Sequence, residues 1–145
     1  MRVAIFSPLP PQRSGIAHYT AELLPLLSGE HEIDLYTDCV QPHSPVVPSV
    51  NIFDAHDFVW RRKRTPYERV IYQLGNATCH DYMWPYLAHY PGHIVLHDGH
   101  VHHSRARSLL SQKRYDAYRA EFALSHSDCP TDVAELGVQG LLGNL

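Results

Sequence analysis

The sequence predicts an α/β domain with a doubly wound, mostly parallel sheet. Short apolar runs, each about as long as a buried strand, alternate along the 145 residues with longer segments of helical periodicity. Strands that alternate with helices in this way are joined by right-handed crossovers, which place helices on both faces of the sheet. No internal repeat or low-complexity segment competes with this interpretation.

The first strand is predicted at residues 2–7 and the first helix after a proline-rich loop. The strand is a continuous apolar run ending at Pro8, as expected for a strand buried on both faces. Ser14 is the predicted N-cap of the helix and Gly29 its stop. Pro25 interrupts the helix, and we expect it to cause a kink or to cost about 3 kcal/mol. The expected inward face carries Ile16, Tyr19, Leu23, Leu24 and Leu27.

Four further strands follow, at residues 31–37, 50–53, 69–74 and 93–96. Residues 39–48, rich in proline and polar groups, form a predicted loop. The basic residues of segment 58–66 are expected to lie exposed on a loop or helix end.

Helices are predicted at residues 78–90 and 104–127. The first of them is expected to direct Tyr82, Tyr86 and Leu87 inward, although Pro85 lies within it, and the second is expected to break near Gln112. Glycines recur after residue 135 without a closing element. We therefore expect a single domain over residues 1–130, followed by a truncated tail over residues 131–145.

Composition excludes several classes of protein. A net charge of −3 provides no basic field for nucleic acid. The three cysteines, Cys39, Cys79 and Cys129, are widely spaced and contain no CxxC pair, which indicates neither a disulfide framework nor a thiolate zinc site. No signal peptide and no run of about 20 apolar residues is present, so a cytoplasmic location is expected.

Polar motifs follow three of the predicted strands. They are Ser14-Gly15, Gly75-Asn76, and His97-Asp98, the last of which opens a cluster of four histidines within residues 97–103. In open α/β sheets, ligands bind outside the carboxyl ends of the strands. These motifs are therefore expected to share one ligand-binding face.

The Ser14-Gly15 motif is suited to an anionic group. Glycine lets the backbone approach a phosphate closely, and a helix N-terminus attracts negative charge. The loop contains neither GxGxxG nor GxxxxGK[ST], so a dinucleotide fingerprint is absent and a nucleoside-triphosphate hydrolase is disfavoured.

Three segments in this order, residues 6–17, residues 72–76 with His80, and residues 91–98, resemble the N-terminal half of GT-B glycosyltransferases of the retaining family 4 type. The resemblance extends from residue 1 to about residue 130. It implies a Rossmann-like N-terminal domain of an enzyme that moves a sugar from a nucleotide-diphosphate sugar to a glycan, lipid or small acceptor with retention of configuration.

The resemblance also implies roles for individual residues. Ser14 and Gly15 correspond to the donor-binding loop, and His97 to the catalytic histidine that reaches the donor sugar. The acceptor side is expected to involve Asn76, His80 and Asp98. The resemblance also implies metal-independent chemistry, and no cofactor is expected because the nucleotide-diphosphate sugar is itself the substrate.

In the family, a second domain binds most of the nucleotide and carries an acidic pair, and 145 residues do not contain it. The expectation is a chain that is inactive alone. We also expect self-association through the face left by the missing domain, and peripheral membrane association of a full-length enzyme.

The sequence is also compatible with two other functions. One is a non-catalytic module that binds a sugar or nucleotide. The other is a metal-dependent hydrolase that uses the histidine cluster, in which His100 and His103 at i, i+3 spacing would share a helical face with His97, His102 and Asp98 nearby. Asp98 has a further alternative, as the cap of the following helix.

Overall fold

The computed structural model describes residues 1–38 and 47–141. Cys39 and most of the predicted loop 39–48 lie outside the described residues. The chain divides into two compact units, Met1–His100 and Val101–Leu145. The boundary therefore falls earlier than the predicted domain end at residue 130, and each unit is described by itself.

The first unit contains a five-stranded, all-parallel sheet, which confirms the predicted fold class. Its order is β3-β2-β1-β4-β5, an arrangement of the Rossmann-like type. Every predicted strand is present, with ends within one residue of the prediction. The strands are β1 (Arg2–Phe6), β2 (Glu32–Thr37), β3 (Val50–Asp54), β4 (Arg69–Leu74) and β5 (His93–Leu96).

Strand β1 is buried on both faces of the sheet, and successive side chains of each strand point to opposite faces. The edge strand β5 is exposed at all four of its residues. One face is aliphatic and is centred on Val3 and Ile5 of β1. The other is aromatic and is centred on Phe6, which stacks on Tyr36 of β2 and Tyr72 of β4. In the parallel register Phe6 lies beside both tyrosines, so one row of rings crosses three strands.

Helix α1 (Gly15–Leu27) covers the aliphatic face. The Ser14 side chain accepts a hydrogen bond from the Ile16 amide at 3.2 Å, which confirms the predicted N-cap. Pro25 lies within the last turn, where the helix is about to end. The inward residues are Ala17, Thr20 and Leu24.

The predicted inward position of Tyr19 is wrong, since its side chain is 45% exposed. A helix advances about 100° per residue, so Tyr19 lies far from the face shared by Ala17, Thr20 and Leu24. The small residues were not expected on the buried face. Thr20 is tolerated there because its hydroxyl bonds the Ser7 hydroxyl at 2.7 Å.

Helices α2 (Phe58–Arg64) and α3 (Met83–His89) cover the aromatic face, where Phe58 and Met83 are fully buried. The basic segment is thus part of a helix, and Arg61 stacks over the Phe53 ring.

The long helix predicted over residues 78–90 is divided. A 3-10 turn, Thr78–His80, precedes α3. Pro85 lies in the first turn of α3, where its missing N–H removes no helical hydrogen bond. The predicted inward residues Tyr82, Tyr86 and Leu87 do pack against the aromatic cluster.

One carboxylate is buried beside the aromatic face. Asp34 of β2 accepts hydrogen bonds from Arg2 Nη2 at 2.6 Å, Tyr67 Oη at 2.6 Å and Asn51 Nδ2 at 2.8 Å. Burial raises the pKa of Tyr67, which keeps its hydroxyl protonated as a donor. These three donors compensate for removing the charge from water.

The second unit consists of α4 (His102–Ser111), α5 (Tyr115–Ser125) and α6 (Thr131–Val138). The predicted break near Gln112 is confirmed. Helix α6 occupies the segment predicted as a tail, and Ala134 on α6 packs with Leu109, Tyr118 and Phe122. Within the described parts of the chain, no helix has the length and apolar character needed to span a membrane.

Candidate functional site

A cleft of about 430 Å³ lies in the first unit, beside the carboxyl ends of β1, β4 and β5. Strand β1 is flanked by β2 on one side and β4 on the other, and the chain order reverses at this point. Such a switch point is where open α/β sheets bind ligands. All six site residues predicted from the sequence line the cleft, namely Ser14, Gly15, Asn76, His80, His97 and Asp98.

The loop after β1 contributes the N-terminus of α1. Gly15 is the first residue of this helix and is exposed. A Cβ at this position would meet no atom within 4 Å, so the space beside the backbone is open. Unpaired amides and the helix dipole favour an anion here by about 0.3–1 kcal/mol. Arg13, which is not among the predicted site residues, lines the same cleft.

The loops after β4 and β5 are joined through Asp98 and Asn76. Asp98 Oδ2 accepts a hydrogen bond from the Asn76 amide at 2.7 Å, and Asn76 Nδ2 donates to the main-chain oxygen of His100 at 2.6 Å. The alternative of Asp98 as a helix cap is wrong, because α4 begins at His102 without a side-chain cap. Asp98 instead connects two cleft loops.

His80 forms a buried wall of the cleft. Its side chain is fully buried, and Nδ1 donates to the main-chain oxygen of Gln73 at 3.0 Å. Burial lowers the pKa of His80, so the imidazole is neutral at pH 7. Its second nitrogen, Nε2, has no hydrogen-bond partner among the described residues. An unpartnered buried acceptor is costly, and the described residues supply no donor for this nitrogen.

His97, directly after β5, lies at the open side of the cleft. Its Nε2 is 2.6 Å from Oε1 of Gln73, and its ring makes an edge contact with Tyr19 at a centroid distance of 5.1 Å. Neither neighbour is among the site residues predicted from the sequence. Gln73 is the one polar side chain in the interior of an apolar strand, a signal that was available. Tyr19 had been assigned to the core.

The geometry of the cleft does not by itself give a family. Comparisons of the chain with protein-family models, with curated proteins and with solved structures returned no match. The family resemblance of the three motifs therefore stays a prediction.

The histidine cluster does not assemble as a metal site. No three His, Cys, Asp or Glu side chains come together suitably for a metal ion within residues 1–38 and 47–141. The expected i, i+3 pairing of His100 with His103 on a helix is wrong, because His100 precedes α4. His102 instead makes edge-on ring contacts with Phe122 and His126 in the second unit.

Gly75 provides a test of how tightly the cleft is built. A Cβ on Gly75 would lie 2.5 Å from Ile16 Cδ1 and 3.0 Å from Asp98 Oδ2. We expect Gly75→Ala to destabilise the first unit by about 1–3 kcal/mol, because both neighbours must move. Urea unfolding measures this loss.

Gly99→Ala is the matched control, since a Cβ there would meet nothing within 4 Å. The midpoint of its urea unfolding should remain near that of the wild type. Equal midpoints for the two variants would show that the packing around Gly75 is loose.

Proposed function

We propose that the cleft binds a nucleotide-diphosphate sugar and an acceptor hydroxyl, as the N-terminal part of a retaining glycosyltransferase. One observation carries this proposal. The six residues implied by the motif resemblance come from separate segments of the chain, and they line one cleft. Their convergence at the carboxyl edge of the sheet supports a binding cleft at this position.

The N-terminus of α1 is suited to the diphosphate of the donor. Its amides and dipole act on negative charge, and Gly15 leaves room for a phosphate to approach the backbone. When the nucleotide diphosphate leaves, negative charge develops on its oxygens. The same helix end would then stabilise the transition state more than the ground state.

The opposite wall is suited to sugar hydroxyls. His80 Nε2 is a buried acceptor without a partner, and His97 is fixed by Gln73 at the open side. One polar contact that strengthens in the transition state contributes on the order of 3 kcal/mol. We assign this contribution to His97 and the positioning of the acceptor to His80, Asn76 and Asp98.

Ligand titration tests the proposal on this chain. Uridine and guanosine diphosphate sugars are added while backbone amides are followed by NMR. We expect shifts at Ser14, Gly15 and Asn76 with a dissociation constant of about 1 mM, equivalent to about −4 kcal/mol. The affinity is expected to be low because, by the resemblance, another domain holds most of the nucleotide.

Gly15→Ala should weaken this binding while leaving the fold intact, because its Cβ projects into the open space that the diphosphate would occupy. Gly99→Ala is again the control and should bind as the wild type does. Shifts located away from the cleft, or unchanged affinity in Gly15→Ala, would contradict the proposal.

A non-catalytic binding module would use the same cleft and give the same titration. It differs in turnover. Because this chain is expected to be inactive alone, the test is release of the nucleoside diphosphate in the presence of an acceptor when the chain is combined with a nucleotide-binding second domain. Turnover would indicate an enzyme, and its absence such a module.

A further inference from the structure

Gln73 contacts both histidines of the cleft, although the motif resemblance gives it no role. It lies in β4 with 2% of its surface exposed. Its main-chain oxygen is 3.0 Å from His80 Nδ1, and its side-chain Oε1 is 2.6 Å from His97 Nε2. One buried residue therefore bonds two imidazoles through two different oxygens.

These two contacts determine where the imidazole protons are. A carbonyl oxygen only accepts hydrogen bonds, so the nitrogen facing it must donate. His80 therefore carries its proton on Nδ1, and His97 carries a proton on Nε2. In a neutral imidazole the second nitrogen is then an acceptor, which for His80 is the buried and unpartnered Nε2.

We propose that Gln73 is a positioning residue that fixes opposite tautomers on the two cleft histidines, so that His80 offers Nε2 to a ligand only as a hydrogen-bond acceptor. This inference rests on the proposed function only in treating the cleft as a ligand site. It specifies the ligand class at one position. The group that meets His80 Nε2 must bring a proton, as a hydroxyl of a sugar or other polyol does, whereas a carboxylate or fully ionised phosphate oxygen does not.

The choice of glutamine at position 73 follows from its environment. The side chain lies in a buried strand, where an uncompensated charge is costly and a neutral amide is tolerated when bonded. An apolar side chain of similar size would fill the space and leave His97 Nε2 without an acceptor. The main-chain bond to His80 would persist.

Histidine ¹⁵N NMR of this chain at slightly alkaline pH tests the proposal directly. The signals of His80 and His97 are assigned with His80→Gln and His97→Gln. The nitrogen without a proton resonates far downfield of the protonated one. In the wild type we expect opposite patterns, with the proton on Nδ1 in His80 and on Nε2 in His97.

Two variants then separate the side-chain role from the main-chain role. In Gln73→Met, the His97 signals should move toward tautomer-averaged positions, whereas those of His80 stay unchanged and report that β4 is intact. In Gln73→Glu, an acceptor oxygen remains and His97 should keep its proton on Nε2.

A wild type in which His97 carries its proton on Nδ1, or in which His80 shows averaged signals, would overturn the proposal. So would His97 signals in Gln73→Met that match the wild type. Because no ligand is present, failure of nucleotide sugars to bind would defeat the proposed function and leave this result standing. The ligand class is checked separately by titration with neutral polyols and with inorganic sulfate, whose oxygens carry no proton at this pH. A shift of His80 Nε2 on polyol addition is expected, and a shift with sulfate alone would overturn that assignment.

Discussion

Replacing Phe6 by alanine is expected to remove about 3–5 kcal/mol from the free energy of unfolding of the first unit. Phe6 is fully buried. Its ring centroid lies within 5.2 Å of the ring centroids of Tyr36, Tyr72 and Phe58. Deleting this ring leaves a cavity between three strands and a helix. Domains have total stabilities of about 5–15 kcal/mol, so the variant should be close to unfolding. Urea unfolding followed by circular dichroism measures the loss.

Two further variants show whether the loss of stability depends on the volume buried at position 6. Phe6→Leu retains much of the buried volume and should lose less. Tyr19→Ala also removes an aromatic ring, but from a side chain that is 45% exposed, and should have a small effect on stability. A loss below about 1 kcal/mol in Phe6→Ala would contradict the packing of the aromatic face.

Asp34→Ala is expected to cost about 3–5 kcal/mol, because removing one partner of a buried ion pair leaves the other uncompensated. Arg2, Tyr67 and Asn51 would all lose an acceptor. The loss should appear in the midpoint of urea unfolding.

Glu32→Ala is the matched control, because Glu32 pairs with the same arginine through Arg2 Nε at 3.0 Å. The Glu32 side chain is 63% exposed and that of Asp34 only 2%. An exposed pair contributes about 0–1 kcal/mol. Similar losses in the two variants would mean that the Asp34 network is hydrated, and the structural account of it would be wrong.

Strands β1 and β4 were predictable because a strand buried on both faces must be apolar at nearly every position. The helices were less so. Their inward faces include small residues, Ala17 and Thr20, which hydrophobic periodicity does not emphasise. Whether Pro85 interrupts a helix or opens one depends on where that helix begins, and tertiary packing decides this.

The site residues that belong to the motifs after the strands were predictable from the sequence. Loops after parallel strands meet at one sheet edge, so the sequence alone predicts that Gly15, Asn76 and His97 lie together. Gln73 was not predictable in the same way. Its contact with His97 depends on the register of β4 with β5, which sets Gln73 beside Val95, and sequence spacing does not specify that register.

The position of the cleft at the reversal of strand order has a consequence for assembly of the chain. The cleft is lined by the loops after β1, β4 and β5, so no short segment of the chain can form part of the site by itself. Helices form from local contacts, whereas pairing β1 with β4 must first close a long loop. A chain with all its helices but without that pairing therefore has no binding site. Any ligand of the cleft selects the completed sheet and, by mass action, protects it from unfolding.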